Sequence, residues 1–411
     1  MRVFLSVCVH LGLCIKQADV ETAFLNGKLK EEIFIQAPEG YKRANTVLRL
    51  QKALYGLPEA PRCWYDKLKE VLIKLEFRSC AVESCIFVLK KGSKLIMIII
   101  YVDDMLIASN KEEYVLELIT ELNKFFNVQV MEHVNSFIGL NINVIDQDLE
   151  IDQTKYLESR TKEVELAKPI KTPMEEKLKL EDLNGMDKSL CIKKFQKLLG
   201  SLNYVMERTR PDVNFAINLL SRYTNQATDE LYKYLMRVQK YLWSTRNLKL
   251  RYVADCDIPI DAYCDASWAS GNDSKSTSGY VIRVFGNLVQ FKTKKQSMVA
   301  ISSTESEYIA LSECCREVLV VRNILKEIGV LVEGACKVKC DNQPTIIIGE
   351  GEGKANRTKH IRLKYHHIKD LVEKGLVQLE YVPSNENLAD FLTKSVSEAK
   401  IKFSLTNLGF I

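Results

Sequence analysis

The sequence lacks an internal repeat, a low-complexity tract and any apolar run long enough to cross a bilayer. The apolar residues 95–102 are too few to span a membrane, and their isoleucines favour a buried β-strand. Residues 1–15 are not followed by a small-residue cleavage pattern, so they indicate a buried helix rather than a signal peptide. We therefore expect an intracellular protein without a secretion or membrane signal.

Disulfides are not expected either, although the chain has 12 cysteines. The cysteines are scattered and many lie in apolar stretches, which is typical of buried free thiols in a reducing compartment. A zinc site can be drawn from Cys336, Cys340, His366 and His367. The two cysteines lie along a predicted strand, however, so this site is not favoured.

The composition is that of an ordinary globular protein. With 411 residues, 46% hydrophobic and 27% charged, the chain is long enough for two or three cores. The net charge of +5 is compatible with a polyanionic partner. Such a balance is common among soluble proteins, so charge alone does not decide between nucleic acid and other partners.

Three segments are predicted from changes in pattern, which gives a multidomain α+β or α/β fold. Residues 1–160 alternate between helical stretches and short β runs, and residues 161–255 are dominated by helical patterns such as 195–206 and 231–243. Residues 256–411 combine a long helix from residue 304 with several strands. These strands are predicted at residues 258–265, 279–285, 288–293, 337–341 and 377–382.

Two adjacent aspartates, Asp103 and Asp104, interrupt an apolar stretch. Because the chain must reverse at this polar interruption, we expect both at the tip of a β-hairpin. Adjacent carboxylates repel each other unless a cation lies between them or one is protonated. Mg²⁺ prefers oxygen ligands and is the ion that phosphoryl transfer requires. For such a pair taken alone, an ordinary turn is the alternative.

The flanking residues resemble the copia-type reverse transcriptases of retrotransposons. The similar segments are Tyr101-Val-Asp-Asp104, Gln17-Ala-Asp-Val-Glu-Thr-Ala-Phe-Leu-Asn-Gly27, Leu54-Tyr-Gly-Leu57, Ala60-Pro-Arg-Cys-Trp-Tyr65, Ser201-Leu-Asn-Tyr204, Thr209-Arg-Pro-Asp212 and Leu220-Ser-Arg222. This resemblance implies that Asp19, Asp103 and Asp104 bind two Mg²⁺ or Mn²⁺ ions. It also implies that Phe24 and Tyr101 lie at the nucleotide site, with Phe24 excluding a ribose 2′-hydroxyl. Core packing is the alternative for Phe24.

Two departures from that family bear on activity. The family usually has many residues before the segment equivalent to Met1, and these form fingers that bind the template and the incoming triphosphate. The family also tends to have Lys-Gln where this chain has Pro58-Glu59, which places a negative charge near the nucleotide path. We therefore expect no primer extension by this chain alone.

Acidic residues recur at the ends of predicted elements in the third segment. They are Asp265, Glu307, Asp341 and Asp390. Glu307 falls on the apolar stripe of the long predicted helix, where a carboxylate is costly without a partner such as a metal. Ser302…Glu305 and Thr304…Glu307 both have capping-box spacing, but Glu305 lies on the side of Ser312 and Arg316, away from that stripe. Glu307 is therefore predicted as a ligand and Glu305 as a cap. Taken singly, each acid can also be a solvated strand end or a cap.

The order of strands and helices in this segment resembles the RNase H fold, and the acids fall at its Asp-Glu-Asp-Asp positions. The similar motifs are Tyr263-Cys-Asp-Ala-Ser-Trp268, Ser276-Thr-Ser-Gly-Tyr280, Ser302-Ser-Thr-Glu-Ser-Glu-Tyr308, Cys340-Asp-Asn342, Arg357-Thr-Lys-His-Ile361 and Leu388-Ala-Asp390. The resemblance implies two metal ions that cut the RNA strand of a hybrid. The loop Pro383-Ser-Asn-Glu-Asn387 has no histidine, so we expect slower turnover than in cellular RNases H.

A basic stretch follows the third predicted acid. Its candidate nucleic-acid-binding residues are Lys354, Arg357, Lys359, His360, Arg362 and Lys364. Such runs are often only solvated faces. Within an RNase H domain, however, the stretch is predicted to contact the phosphates of a hybrid without sequence preference.

Together these features predict a partial polymerase palm with a helical thumb or connection, followed by an RNase H-like α/β domain. The expected function is RNA-directed DNA synthesis coupled to RNase H hydrolysis, with an RNA template, a DNA primer, deoxynucleoside triphosphates and an RNA–DNA hybrid as partners. The expected location is a cytoplasmic virus-like particle or the nucleus. The alternatives are a chain in which only the RNase H is active and a silent nucleic-acid-binding relic.

Overall fold

The fold is taken from a computed structural model, which describes residues 1–40, 46–131, 133–160, 168–176, 192–270, 273–351 and 362–411. The chain divides into two compact units. The first contains Met1, Leu11–Ile138 and Ile324–Val330. The second contains Arg2–His10, Gly139–Asn323 and Leu331–Ile411. In the described ranges, no helix is both long and apolar enough to cross a membrane.

The α-helices of these ranges are α1 (Arg2–His10), α2 (Ala60–Lys74), α3 (Glu112–Leu122), α4 (Thr154–Arg160), α5 (Ile192–Thr209), α6 (Asn214–Ser221), α7 (Asp229–Ser244), α8 (Ser303–Glu327), α9 (Gln343–Gly349), α10 (Arg362–Glu373) and α11 (Glu398–Asn407). The strands are β1 (Cys14–Val20), β2 (Phe34–Gln36), β3 (Val47–Arg49), β4 (Arg78–Ser79), β5 (Ile86–Lys91), β6 (Lys94–Tyr101), β7 (Asp104–Ser109), β8 (Val128–Met131), β9 (Ser136–Phe137), β10 (Leu140–Ile145), β11 (Asp148–Asp152), β12 (Leu250–Tyr252), β13 (Ile260–Ser267), β14 (Thr277–Val284), β15 (Asn287–Lys295), β16 (Cys336–Cys340) and β17 (Val377–Tyr381).

The first unit contains an antiparallel sheet with the strand order β4-β5-β6-β7-β1-β8. Its core contains side chains of α2, such as Trp64 and Leu68, and of the central strands, such as Ile98 and Ile107. Successive residues of β6 are buried, so both faces of this strand are shielded from water. The predicted buried strand at residues 95–102 is therefore confirmed.

The second unit begins its helical part with α5, α6 and α7, which pack against one another. Phe195, Leu202, Leu235 and Val238 are among the side chains of their shared core. The helical patterns predicted at 195–206 and 231–243 are confirmed, because they lie within α5 and α7. The antiparallel strands β10, β11 and β12 form a small sheet in the same unit.

The main sheet of the second unit has the strand order β15-β14-β13-β16-β17. β13, β14 and β15 are antiparallel, whereas β16 and β17 run parallel to β13. This is the order of the RNase H fold that the sequence predicts. One detail differs. The sequence predicts that Asp390 opens the last helix, but Asp390 begins a short 3₁₀ turn, Asp390–Leu392, and the last helix starts later, where the Ser397 side chain caps α11.

The N-terminal helix α1 is buried, as predicted, but its partner is the main sheet of the second unit. It packs against β14 and β15. The Ser6 hydroxyl donates to the Val284 carbonyl at 2.7 Å, and the His10 ring stacks on Phe285 with a centroid distance of 3.5 Å. Phe4 is fully buried. The N-terminal helix therefore packs against strands that lie more than 250 residues later in the chain.

Candidate active sites

The first acidic group lies where β1 and the β6–β7 hairpin meet. Asp19 on β1 is directly opposite Asp104 on β7. Asp103 lies in the turn between β6 and β7, and its carbonyl accepts a hydrogen bond from Val20 N at 3.2 Å. The preceding residue, Val102, has a φ of 58°, which makes this a tight turn. The predicted hairpin is confirmed, and the structure brings together the three aspartates that the sequence singled out.

The surroundings of Asp19 and Asp104 disfavour the charged forms of these two residues. Burial raises the pKa of Asp19, and the carboxylates of Asp103 and Asp104 raise it further. Burial also raises the pKa of Asp104, where a hydrogen bond from Gln17 acts in the opposite direction and Asp103 adds to the rise. A divalent cation would relieve this repulsion, and carboxylate oxygens are ligands that Mg²⁺ prefers. The donor set therefore fits Mg²⁺ or Mn²⁺.

Trp64 holds the turn, although the sequence alone did not assign it this role. Its ring is almost completely buried, and Nε1 donates to the Val102 carbonyl at 2.6 Å. Gly27 allows α2 to come this close, since a Cβ at Gly27 would lie 2.9 Å from Cys63 backbone and side-chain atoms. Trp64 lies in a motif that resembles the family, but a motif does not name the group that a side chain contacts.

The two predicted nucleotide-site residues lie in different environments. Phe24 is 8% exposed and belongs to the core of the first unit. Its ring lies 4.3 Å from that of Tyr55, and burial followed by the charges of Asp103 and Asp19 raises the pKa of Tyr55. Tyr101, in contrast, is exposed at the end of β6. Phe24 packs in the core, and its ring contacts Tyr55, on which the charges of the acidic group act. Its role in sugar selection therefore stays a prediction.

The second acidic group is built around the end of β13. Asp265 is almost fully buried, and its β-sheet partner on β14 is Gly279. A Cβ at Gly279 would lie 2.8 Å from side-chain carbons of Leu392 and Thr393, so only glycine lets the 3₁₀ turn of Asp390 pack here. The Thr393 hydroxyl donates to the Asp265 carboxylate.

Neutral groups fix the loop before Asp390. The buried Asn387 side chain donates to the Cys264 carbonyl at 2.9 Å and accepts from Ala389 N at 3.0 Å.

Asp341 follows β16, which is parallel to its neighbour β13. Because the carboxyl ends of parallel strands lie at the same edge of a sheet, Asp341 and Asp265 face a common region.

The two glutamates of α8 have different roles, as the helical period predicts. The Glu305 carboxylate accepts from Ile301 N at 2.7 Å, and Ser302 Oγ accepts from Glu305 N at 3.1 Å. This is a capping box, so the predicted capping role of Glu305 is confirmed. Glu307 instead approaches Cys340 and Asp341, with one ligand atom of each residue within 4.8 Å of the others.

Glu307 gives the clearest indication that this group fits a cation. Its Oε2 atom is buried without a hydrogen-bond partner. Burial and the nearby charges of Asp265, Cys340 and Asp341 raise the pKa of Glu307 to about 10. Burial also raises the pKa of Asp265 to about 7, a rise that Lys394 opposes and Asp390 increases. An orphaned carboxylate oxygen in an acidic cluster fits a divalent cation.

The structure describes only some of the predicted nucleic-acid-binding residues. Lys354, Arg357, Lys359 and His360 lie outside the described residues. Arg362 begins α10, and nothing is described of its side chain, whereas Lys364 is half-buried and burial lowers its pKa. The basic stretch therefore stays a prediction. The described cysteines are all free, and the metal-ligand group of the described ranges does not contain Cys336, His366 or His367.

Several known proteins resemble the chain. A family model described as "Reverse transcriptase (RNA-dependent DNA polymerase)" matches residues 1–198. The retrovirus-related Pol polyprotein from transposon RE2 of Arabidopsis thaliana is 33% identical over 418 residues, covering 100% of this chain and 28% of that protein. The corresponding polyprotein from transposon TNT 1-94 of Nicotiana tabacum is 32% identical over 427 residues, covering 100% of this chain and 32% of that protein.

A shorter relative is covered completely. The putative transposon Ty5-1 protein of Saccharomyces cerevisiae is 30% identical over 309 residues, which are 73% of this chain and 100% of that protein. The chain thus spans less than a third of the plant Pol polyproteins but all of this yeast protein. Among solved structures, a crystal structure of LC11-RNase H1 in complex with an RNA/DNA hybrid is 21% identical, with a TM-score of 0.26, and covers 33% of this chain and 93% of that chain.

Proposed function

The chain belongs to the copia-type retrotransposon Pol family of reverse transcriptases, and from this premise we propose that it has two coupled activities. These are RNA-directed DNA synthesis and hydrolysis of the RNA strand of RNA–DNA hybrids. The observation that supports the proposal is that each compact unit has its own group of buried or half-buried carboxylates with raised pKa values. Both reactions displace an oxygen at phosphorus and use such groups to hold divalent cations.

In the first unit, Asp19, Asp103 and Asp104 would hold the cations for DNA synthesis. When bound, two Mg²⁺ or Mn²⁺ ions would activate the primer 3′-hydroxyl and neutralise charge on the leaving pyrophosphate. The chain's own contribution is positional. Trp64 fixes the turn of Asp103 through the Val102 carbonyl, and the β1–β7 pairing places Asp19 opposite Asp104.

In the second unit, Asp265, Glu307, Asp341 and Asp390 would hold the cations for RNA hydrolysis. The bound ions would activate a water molecule and stabilise the leaving 3′-oxygen. Thr393 orients Asp265, while the main-chain and side-chain bonds of Asn387 hold the loop that leads to Asp390. The hydrolysis needs a 2′-hydroxyl-bearing strand, so the hybrid is the proposed substrate.

The proposed partners follow from these two reactions: an RNA template, a DNA primer, deoxynucleoside triphosphates and the hybrid product. The predicted basic residues 354–364 would contact the phosphates of the hybrid. The proposed location is a cytoplasmic virus-like particle or the nucleus, where retrotransposon reverse transcription takes place.

A chain with nuclease activity only is the second candidate function. The observation in its favour is that the second unit contains the complete five-stranded order together with all the predicted nuclease acids. The hydrolytic reaction therefore requires no group from the first unit. This candidate differs from the main proposal only in the DNA synthesis assay.

The test uses the purified full chain with Mg²⁺ or Mn²⁺ in two assays, hybrid cleavage and primer extension on RNA. Asp341→Asn should eliminate cleavage. In any chain that carries out extension, a double change of Asp103 and Asp104 to Asn should eliminate extension and spare cleavage. Cleavage without extension in the unchanged chain would support the nuclease-only candidate. A folded chain that binds hybrid but performs neither reaction would reject the proposed function.

A further inference from the structure

The Lys394 side chain points toward the proposed nuclease acids, which are Asp265, Glu307, Asp341 and Asp390. Its Nζ lies 2.5 Å from Asp390 Oδ1, four residues earlier in the chain. The Asp390 side chain is 9% exposed, whereas that of Lys394 is 50% exposed. One side of the ammonium therefore contacts the acidic group, and the rest of the side chain is open to water.

More than one carboxylate acts on this ammonium. Burial lowers the pKa of Lys394, but the charges of Asp265, Asp390 and Asp341 outweigh that effect and raise it. In return, the Lys394 charge opposes the rise in the pKa of Asp265. In the absence of a metal, the positive charge of Lys394 therefore offsets part of the repulsion among these carboxylates.

The neighbouring Lys400 shows that proximity alone does not give this arrangement. Its Nζ donates to the carbonyls of Ser384 and Asn385 at 3.1 and 2.7 Å. Lys400 thus stabilises the backbone of a loop, and its ammonium is not bonded to a carboxylate in the described contacts. Lys394, in contrast, bonds directly to a predicted metal ligand.

Charge balance indicates what happens when the site is filled, and this step rests on the proposed function. Four carboxylates carry a charge of about −4, which two divalent cations neutralise. A phosphodiester then adds a charge of about −1, and the ammonium of Lys394 is a positive charge at the acids that can neutralise it. The cations and the ammonium also compete for Asp390, because both need its carboxylate oxygens.

We propose that Lys394 is a substrate-binding residue of the nuclease site, whose ammonium leaves Asp390 when divalent cations bind and then contacts a phosphate of the bound nucleic acid strand. A lysine suits this exchange because its charge is compact and its stem is flexible. Before metal binding, the ammonium holds the acids together. After metal binding, the same charge neutralises the substrate.

The proposal predicts that Lys394→Met changes the affinities for Mn²⁺ and for a hybrid in opposite directions. Loss of the competing ammonium should tighten the binding of Mn²⁺ to the nucleic-acid-free chain. Loss of the phosphate contact should weaken the binding of a hybrid in the presence of Mn²⁺. A residue that only stabilises the fold would weaken both ligands, so the opposite signs are diagnostic.

The experiment uses the full chain and a hybrid whose RNA strand carries 2′-O-methyl groups, so that it is bound without being cut. Mn²⁺ binding is measured by calorimetry without nucleic acid, and hybrid binding is measured over a range of salt concentrations with Mn²⁺. We expect Lys394→Met to weaken hybrid binding about tenfold. We also expect it to reduce the slope of log K against log salt by about one. Lys394→Arg should restore the slope.

Lys402→Met is the matched control, since Lys402 is an exposed lysine paired with Glu398 on α11 and does not contact the acids. It should leave both affinities unchanged. An unchanged salt slope in folded Lys394→Met, or weaker rather than tighter Mn²⁺ binding, would overturn the proposal. Should Lys394→Met fail to fold, Lys394→Gln provides the same readouts. If the unchanged chain cleaves an ordinary hybrid, a result that contradicts the role of Lys394 leaves the proposed function intact. If the unchanged chain does not cleave a hybrid, the proposed function itself is contradicted.

Discussion

Replacing Asp265 with Asn should stabilise the metal-free second unit at alkaline pH, although it removes a proposed metal ligand. Burial, opposed by Lys394 and reinforced by Asp390, raises the pKa of Asp265 to about 7. In an unfolded chain an aspartate has a pKa of about 3.9. Between these values the folded state keeps a proton that the unfolded state has lost, so the free energy of unfolding falls as pH rises.

The size of the effect follows from the difference of about 3 pKa units, which corresponds to about 4 kcal/mol once the pH exceeds 7. Asn cannot ionise, so Asp265→Asn should be more stable than the unchanged chain by up to about 4 kcal/mol at pH 8. At pH 4 the difference should almost vanish. The Thr393 hydroxyl can still donate to the amide oxygen of Asn, so this hydrogen bond is not lost.

Hydrogen exchange of peptides that cover β13 is the assay, with a chelator present and both proteins compared at each pH. Asp261→Asn on the same strand is the control, because Asp261 is also buried but is paired with Arg283. That change leaves a partly buried guanidinium unpaired and should speed exchange at pH 8. If both variants lose protection equally at pH 8, the reasoning about Asp265 is wrong.

Three further changes test other parts of the structure. Phe4→Ala removes a fully buried ring from α1 and should destabilise the second unit by about 3–5 kcal/mol, seen as faster hydrogen exchange in β14 and β15; unchanged exchange would contradict the packing of α1 there. Gly279→Ala adds a Cβ at 2.8 Å from the Asp390 turn and should cost about 1–3 kcal/mol and reduce hybrid cleavage, whereas full activity would show that the close approach is not needed. Phe24→Val should raise incorporation of ribonucleotides relative to deoxynucleotides in a chain active in extension, and an unchanged ratio would leave Phe24 as a core residue only.

Local patterns predicted the positions of some acids, whereas Asp19 and the grouping of Asp265, Asp341 and Asp390 came from the resemblance to known families. Asp103 and Asp104 interrupt a buried apolar stretch, which by itself predicts a hairpin tip. The different roles of Glu305 and Glu307 follow from helical period and capping spacing within a few residues of each other. Information that is contained in neighbouring residues can be read without knowing the tertiary structure.

Long-range partners could not be predicted in the same way. Apolar periodicity shows that α1 has a buried face, but it does not identify β14 and β15, more than 250 residues later, as the partner. The contact of Trp64 with the Val102 carbonyl is equally unmarked, since many strands offer a carbonyl to an indole donor. Lys394 follows Asp390 at i,i+4 spacing, but the two residues are not in an α-helix, so a helical pattern did not mark this pair in the sequence.

The hydrogen bonds of the second acidic group are distributed in a way that would suit cation binding. The loop that leads to Asp390 is held by Asn387 through a backbone carbonyl and a backbone amide, which are neutral groups. Had backbone amides satisfied the carboxylates instead, the acids would be stable as anions and would gain less from a cation. Glu307 Oε2 has no partner, and burial raises the pKa of its carboxyl to about 10. The fold therefore positions Asp390 through its neighbours and leaves Glu307 Oε2 as a carboxylate oxygen that could bind a cation.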